Sequence, residues 1–151
     1  MRNDLSRVCR DQSVRVSRLC QIERYHFVQH LVSVVEGELL GDVSPVDELT
    51  PCYPGGSVTG APKIEAMQTI AALEPNPRGP SCGSMGYISR DGQMDINILI
   101  RSMLLEGQGV SLRTGAGIVI DSKARRELSE PRAKAKGLLV ALLGEEVTTN
   151  E

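Results

Sequence analysis

The segment GGSVTGAPK at 55–63 combines residue types that could bind an anion. Its glycines let backbone N–H groups approach a ligand closely, and the helix predicted to follow presents further N–H groups at its start. Ser57, Thr59 and Lys63 would add hydroxyl and ammonium donors. The G-x-x-x-x-G-K-S/T spacing of a nucleotide phosphate loop is absent. A helix start without any ligand is the simpler interpretation, and the spacing alone favours it.

Two further segments carry groups that could contact a ligand. Gly115 and Gly117 interrupt the β-rich segment 114–122, which predicts either a bulge or a close approach of the backbone to a ligand. Arg101 lies in the apolar run NILIRSMLL, where its guanidinium must face solvent or find a partner. Its fork of donors suits a carboxylate, although a solvent-facing position on a strand is the commoner case.

Candidates for acid–base and metal chemistry are few. His30 lies in the apolar run VQHLVSVV, where a histidine is more often structural than catalytic. Glu127 and Glu130 are three residues apart, so an uninterrupted helix would place both carboxylates on one face as oxygen ligands for Mg²⁺. Lys134 would follow one turn later. A solvated charged face explains the same spacing and, taken alone, is the better interpretation.

The elements that must position these residues form β-rich and helical groups. The run Phe27–Leu40 predicts a strand because it is rich in β-branched residues, and alternation at 13–17 predicts a shorter one. Asp-Gly and Glu-Gly turns at 91–92 and 106–107 indicate antiparallel hairpins. The grouping predicts an α+β fold with an antiparallel sheet layered with helices. The remaining predicted elements are a helix from Ser44–Pro45 that ends before Pro51 or Pro54, a helix of about four turns around 64–71, strands at Ser84–Arg90, Gln93–Leu105 and Gly109–Ile120, and a helix at Ala124–Gly144.

The composition excludes several classes of protein. The chain has 151 residues, a formal net charge of −2, and 40% hydrophobic residues, which is typical of one globular domain. A balanced charge and the absence of tryptophan argue against nucleic-acid binding. No transmembrane helix or signal peptide is predicted. The four cysteines form no Cys-x-x-Cys pair, so we expect reduced thiols in a cytoplasmic protein.

Six motifs occur along the chain in the same order and at the same spacing as in a known protein family. They are RNDLSRVC, QHLVSVVEG, YPGGSVTGAPKIEAM, LEPNPRGPSCGSMGYIS, GQMDINILIRS and GAGIVIDS. Together they resemble the chorismate-binding enzymes, specifically component I of aminodeoxychorismate synthase or of anthranilate synthase. The PGGS loop and the CGS before MGYIS are more similar to the aminodeoxychorismate branch.

The resemblance implies Mg²⁺-dependent amination of chorismate, with ammonia supplied by a glutamine amidotransferase subunit. It implies that His30 is catalytic beside the substrate ring, where it could assist departure of the leaving hydroxyl. Glu127 and Glu130 match Mg²⁺ ligands. The residues that match substrate-binding positions are Ser57, Thr59, Gly60, Lys63, Arg101, Gly115, Ala116, Gly117 and Lys134.

The resemblance also implies that this is a C-terminal fragment of the chorismate-utilising fold, with a partial chorismate-binding domain at 1–144 and a tail at 145–151. We therefore expect the isolated chain to be inactive. Alternatives are a fragment of anthranilate synthase, a complementing half of a split enzyme, and a non-catalytic remnant. Ser81, Leu128 and Pro131 depart from the family pattern. Pro131 predicts that the last helix is kinked, or starts late with Ser129 as its N-cap and Glu127 outside it.

Overall fold

Short antiparallel hairpins and helices make up the part of the chain that the structure describes. The computed structural model describes residues 1–25, 29–41 and 43–144, so the predictions that fall on 26–28 and on the tail 145–151 lie outside it. The described elements in chain order are α1 (Arg2–Leu5), β1 (Arg15–Arg24), β2 (Gln29–Glu36), α2 (Pro45–Cys52), α3 (Lys63–Leu73), β3 (Ser84–Ile88), β4 (Met94–Ile98), β5 (Met103–Glu106), β6 (Gly109–Leu112) and α4 (Ala124–Leu143).

The chain divides into two compact units. The first unit comprises Met1–Pro75 and Ser84–Ile98, and it contains α1, α2, α3 and the hairpins β1–β2 and β3–β4. The second comprises Asn76–Gly83 and the chain from Leu99 onward, with the hairpin β5–β6 and helix α4. Strands pair only within these three hairpins in the described sheets, and every pair is antiparallel. The α+β prediction is confirmed, with the antiparallel pairing divided among hairpins.

The hairpin β1–β2 carries the predicted strand around His30. Arg24 pairs with Gln29 and Glu23 with His30 at the turn end of the hairpin. The ladder is irregular between Val16 and Gln21, where β1 is shifted against β2. Bulges of this kind bend a strand and increase its twist. The prediction of a strand over 27–40 is confirmed for 29–36, where β2 lies.

Helix α2 begins where the sequence predicts. The Ser44 hydroxyl accepts a hydrogen bond of 3.2 Å from the backbone N–H of Asp47, which caps the first turn. The helix continues through Pro51 and ends at Cys52, so the predicted end before Pro54 is the correct one. Pro51 lies in the last turn, where its fixed φ is compatible with the helix and only one backbone hydrogen bond is lost.

Helix α3 is shorter than predicted. It covers the 11 residues Lys63–Leu73, which is about three turns instead of four. Glu74 after it is extended, with φ −82° and ψ 120°. Glu74 precedes Pro75, and a residue before proline is disfavoured in the helical region, so the helix stops there.

The two predicted turns of the later hairpins are confirmed, but two predicted strands are too long. Positive φ at Gly92 and Gly107 allows the turns between β3 and β4 and between β5 and β6. The single strand predicted over Gln93–Leu105 is wrong, because the chain is interrupted between β4 and β5, where Arg101 has φ 52°. The strand predicted over Gly109–Ile120 ends at Leu112, and residues 113–119 have no regular secondary structure. Gly115 and Gly117 disfavour a strand there since glycine loses the most conformational freedom on ordering.

Helix α4 is continuous from Ala124 to Leu143, with Pro131 inside it. The predicted late start is therefore wrong. Ser129 does not cap the helix; its hydroxyl donates to the Arg126 carbonyl at 2.8 Å, within the helix. The N–H groups of Arg126 and Glu127 both donate to the Lys123 carbonyl, which closes the first turn ahead of the proline. Gly144 ends the helix in the left-handed conformation, with φ 73°.

Burial within the described residues is confined to one small region of the first unit. Asp4, Val8 and Cys9 are the buried residues there. Their neighbourhood joins the start of the chain to the segment after β2, because Arg10 donates to the Glu38 carbonyl and Leu40 to the Val8 carbonyl. Most apolar side chains of the strands and helices remain at least partly exposed. No described helix is long and apolar enough to cross a membrane.

Candidate functional site

The glycine-rich loop that precedes α3 is closed by its own hydrogen bonds. The N–H of Val58 and the hydroxyl of Thr59 both donate to the Gly55 carbonyl, at 3.1 and 3.0 Å. Gly60 has φ 140°, and a Cβ there would lie 3.0 Å from the Ala66 Cβ, so this position requires glycine. Ser57 is exposed at the tip of the loop. The loop thus presents Ser57 on a fixed backbone turn.

Lys63 follows the loop and is held by two partners in the same unit. Its ammonium lies 3.0 Å from an Asp4 carboxylate oxygen and donates to the Pro51 carbonyl at 2.9 Å. Both side chains of this ion pair are largely buried, 19% exposed for Lys63 and 11% for Asp4. The pair ties α1 and the end of α2 to the start of α3. Lys63 therefore anchors the loop in this structure.

Asp4 is the partner that sequence reasoning missed. Burial by itself would raise the pKa of Asp4, but hydrogen bonds from Lys63 and from the terminal ammonium, 3.0 Å away, outweigh burial and lower it. The carboxylate is therefore ionised when the pair forms. The only signal in the sequence was an acidic residue inside the RNDLSRVC motif, and nothing in its local spacing points to a lysine so far along the chain.

His30 lies on β2, as predicted, and is half-buried. The Tyr25 ring and the imidazole form a T-shaped pair, with centroids 5.4 Å apart and an interplanar angle of 84°. The Tyr25 hydroxyl donates to a Glu23 carboxylate oxygen at 3.0 Å, and this hydrogen bond raises the pKa of Tyr25. Tyr25 and Glu23 were not predicted as neighbours; hairpin register could have indicated them, since Glu23 pairs with His30.

Three of the predicted residues meet in the second unit. The Lys134 ammonium lies 2.5 Å from a Glu130 carboxylate oxygen and donates to the Gly115 carbonyl at 3.2 Å. Glu127 lies one turn before Glu130 on the uninterrupted helix, so both carboxylates share one face. We call Gly115, Glu127, Glu130 and Lys134 the α4 cluster. It joins the helix to the glycine-containing segment 113–119.

The α4 cluster contains an unsatisfied buried atom. Oxygen Oε2 of Glu127 is shielded from solvent and has no hydrogen-bond partner among the residues that the structure describes. A buried carboxylate oxygen without a partner is costly, and a cation beside it would remove that cost. Mg²⁺ commonly takes one or two carboxylates and completes its shell with water and substrate oxygens. The donor set of Glu127 and Glu130 thus fits a hydrated Mg²⁺, although the described residues contain no group of three or more metal-ligating side chains.

The remaining predicted residues of the second unit lie in segments without regular secondary structure. Arg101 does not lie on a strand; it is half-buried in the irregular link before β5, with its backbone in the left-handed region. Ala116 lies in segment 113–119, between the two glycines. A Cβ at Gly115 or Gly117 would have no atom within 4 Å, so open space adjoins both glycines on the described chain. That space allows a ligand to approach the backbone.

Comparison with known proteins identifies the family. Residues 1–140 match the family described as chorismate binding enzyme. The chain belongs to this family. It is 49% identical over 146 residues to anthranilate synthase component 1 of Synechocystis sp. (strain ATCC 27184 / PCC 6803 / Kazusa), a match that covers 93% of this chain and 29% of that protein. It is also 43% identical over 148 residues to aminodeoxychorismate synthase component 1 of Bacillus subtilis (strain 168), covering 97% of this chain and 32% of the relative.

The fold of this member of the chorismate binding enzyme family is shared with solved structures. The crystal structure of anthranilate synthase component I from Streptococcus pneumoniae TIGR4 matches with a TM-score of 0.83 and 44% identity, over 91% of this chain and 32% of that one. The predicted family and the predicted fold are therefore confirmed. The chain spans about a third of the length of these relatives.

Proposed function

We propose that this chain forms part of the active site of a cytoplasmic chorismate-aminating synthase that uses Mg²⁺ and takes ammonia from a glutamine amidotransferase subunit. The observation that supports this most is the α4 cluster, found in a chain that matches the chorismate-binding family over residues 1–140. The chain spans about a third of the length of these relatives. We expect the isolated chain to be inactive.

Chorismate carries two negatively charged carboxylates, and the second unit contains positively charged side chains that could bind them. Lys134 supplies an ammonium and Arg101 a guanidinium, and open space adjoins the backbone at Gly115 and Gly117. Glu127 and Glu130 would hold Mg²⁺, which when bound supplies a positive charge that neutralises the ring carboxylate and holds the substrate in register. The unpartnered Glu127 oxygen supports this assignment.

Residues of the first unit match the acid–base position and several substrate-binding positions of the family by resemblance. His30 is the candidate acid or base; it lies on β2, and its imidazole is nearly perpendicular to the neighbouring Tyr25 ring. It would protonate the departing hydroxyl while ammonia adds to the ring, a role that typically accelerates a reaction about 10²–10⁴-fold. Ser57, Thr59 and Gly60 would line the site, and Lys63 would contribute by holding their loop through Asp4.

Two products are candidates. The PGGS loop at 54–57 and the CGS at 82–84 favour aminodeoxychorismate, because they are similar to that branch of the family. Anthranilate is the second candidate, favoured by the 49% identity to the Synechocystis anthranilate synthase component, against 43% for the Bacillus aminodeoxychorismate synthase component. Chromatography of the reaction products against authentic standards distinguishes the two.

A chimaera tests the proposal. This chain replaces the matched segment of the Synechocystis anthranilate synthase component 1, and chorismate loss is followed with ammonium salt and Mg²⁺. We expect turnover by the chimaera, none by the isolated chain, and a loss of about 100-fold or more in His30→Ala. Gln29→Ala, an exposed neighbour on the same strand, is the matched control and should retain activity. A folded chimaera that leaves chorismate unchanged, or full activity in His30→Ala, would contradict the proposal.

A further inference from the structure

Lys134 contacts both a helix residue and the loop residue of the α4 cluster. Its ammonium contacts Glu130 on the preceding turn of the helix and the Gly115 carbonyl on segment 113–119. The Glu-then-Lys order at a spacing of four residues is the favourable direction for such a pair on a helix. The side chains are 28% exposed for Lys134 and 49% for Glu130, so the pair is accessible to an incoming ion.

The Glu130 carboxylate is therefore already occupied by a positive charge. A divalent cation bound to Glu127 and Glu130 would lie a few ångströms from the Lys134 ammonium, and two positive charges at that distance repel strongly. Oxygen Oε2 of Glu127, in contrast, has no hydrogen-bond partner within the described part of the chain that a cation would displace. A cation that binds Glu130 must therefore displace the Lys134 ammonium, whereas a cation that binds this Glu127 oxygen displaces no paired group of the described residues.

We propose that Lys134 is the built-in counter-ion of the metal site: it neutralises Glu130 when no cation is bound and gives up that carboxylate when a divalent cation binds. The inference rests on the proposed Mg²⁺ site. Once displaced, the ammonium stays beside segment 113–119 because α4 fixes its backbone and the Gly115 carbonyl remains within reach. Its charge is then available to a carboxylate of the substrate. Cation binding and carboxylate binding are therefore coupled, and each strengthens the other.

Mn²⁺ binding to the 151-residue chain tests this without any assay of activity. The electron paramagnetic resonance signal of free Mn²⁺ reports the dissociation constant for wild type and for Lys134→Met. Removing the competing charge should tighten Mn²⁺ binding about three- to tenfold. Lys134→Arg keeps the charge and should stay within about twofold of wild type. Arg132→Met is the matched control, because Arg132 is exposed and lies on the other side of α4 from Glu130.

The outcomes separate this inference from the metal site itself. Unchanged or weaker Mn²⁺ binding in Lys134→Met, with normal binding by wild type, would overturn the counter-ion role and leave the metal site standing. Absence of Mn²⁺ binding in both proteins would overturn the metal site and the inference with it. Lys134→Gln, a second neutral variant with circular dichroism matched to wild type, must reproduce the tightening; tightening in Lys134→Met alone would count against the inference. Tightening of equal size in Arg132→Met would also overturn it, since the effect would then be one of net charge.

Discussion

At the scale of single residues, burial separates two ion pairs of the first unit. Lys63 and Asp4 are largely shielded, and the lysine also donates to the Pro51 carbonyl. Arg10 and Glu38 lie 3.8 Å apart with 65% and 74% of their side chains exposed. Exposed pairs contribute little because water and salt screen them, whereas removal of one partner from a buried pair leaves the other charge unsatisfied. The Lys63–Asp4 pair should therefore matter far more.

We expect Lys63→Met to loosen the contact of α1 with the loop before α3. Asp4 would lose its principal cation, at a cost of about 2 kcal/mol in the local free energy of opening. Hydrogen exchange of peptides from α1 and α2, measured by mass spectrometry, should accelerate accordingly. Arg10→Met removes an exposed cation of the same unit and should cost less than about 1 kcal/mol. Equal exchange in the two variants would show that the Lys63 contact does not hold the loop.

The same pair predicts an acid limit for the first unit. The pKa of Asp4 is lowered in the folded chain from its ordinary value of 3.8. A lowered pKa means that the carboxylate stabilises the fold above pH 3.8, and that this contribution is lost as the pH falls below that value through the folded pKa. Far-UV circular dichroism during acid titration should show a flatter acid limb in Asp4→Asn than in wild type. Asp11→Asn, at an exposed position, should follow wild type; identical curves for all three proteins would refute the assignment.

At the scale of elements, residue types predicted where helices start and where hairpins turn. They did not predict where the strands end. The Ser44 cap, the Asp91-Gly92 turn and the left-handed Gly144 follow directly from residue type. The break between β4 and β5 could not be predicted, because Arg101 there adopts a backbone conformation unusual for arginine. The helical spacing correctly predicted that Glu130 and Lys134 lie close together. The Asp4–Lys63 pair joins distant segments, so no local pattern could show it.

Pro131 allows a test of the continuous α4. A proline inside a helix costs about 3 kcal/mol relative to alanine, so Pro131→Ala should stabilise α4 and slow hydrogen exchange along it. If the helix started late, Glu127 would lie outside it. Replacement of Pro131 would then extend the helix to Glu127 and tighten metal binding. Since Glu127 already lies on α4, we expect Mn²⁺ affinity to change by less than about twofold. A large gain in affinity would show that the proline displaces one of the two carboxylates.

At the scale of the whole molecule, the described residues leave much apolar surface exposed. Examples on the β1–β2 hairpin are Leu19 and Leu31, whose side chains are 70% and 67% exposed. Each hairpin also has open strand edges, since the described strands pair only two by two. Relatives three times as long share the same fold over this segment. The exposed surface is therefore a candidate for contact with further chain.

We expect the 151-residue chain to self-associate when purified, because exposed apolar patches and unpaired strand edges favour association. Size-exclusion chromatography with light scattering should give a mass above the 16.3 kDa of one chain. The chimaera, which supplies the remaining part of a relative, should be monodisperse. A stable monomer of the isolated chain, with cooperative thermal unfolding, would contradict this expectation.

Under the proposed function, α4 holds a divalent cation within a chorismate site. Anomalous diffraction from crystals of the chimaera grown with Mn²⁺ and chorismate tests it most directly. We predict one strong anomalous peak within about 2.3 Å of carboxylate oxygens of both Glu127 and Glu130, with Lys134 turned from Glu130 toward a substrate carboxylate. A cation bound elsewhere while chorismate occupies the site, or a Lys134 ammonium still paired with Glu130 beside bound chorismate, would contradict this assignment.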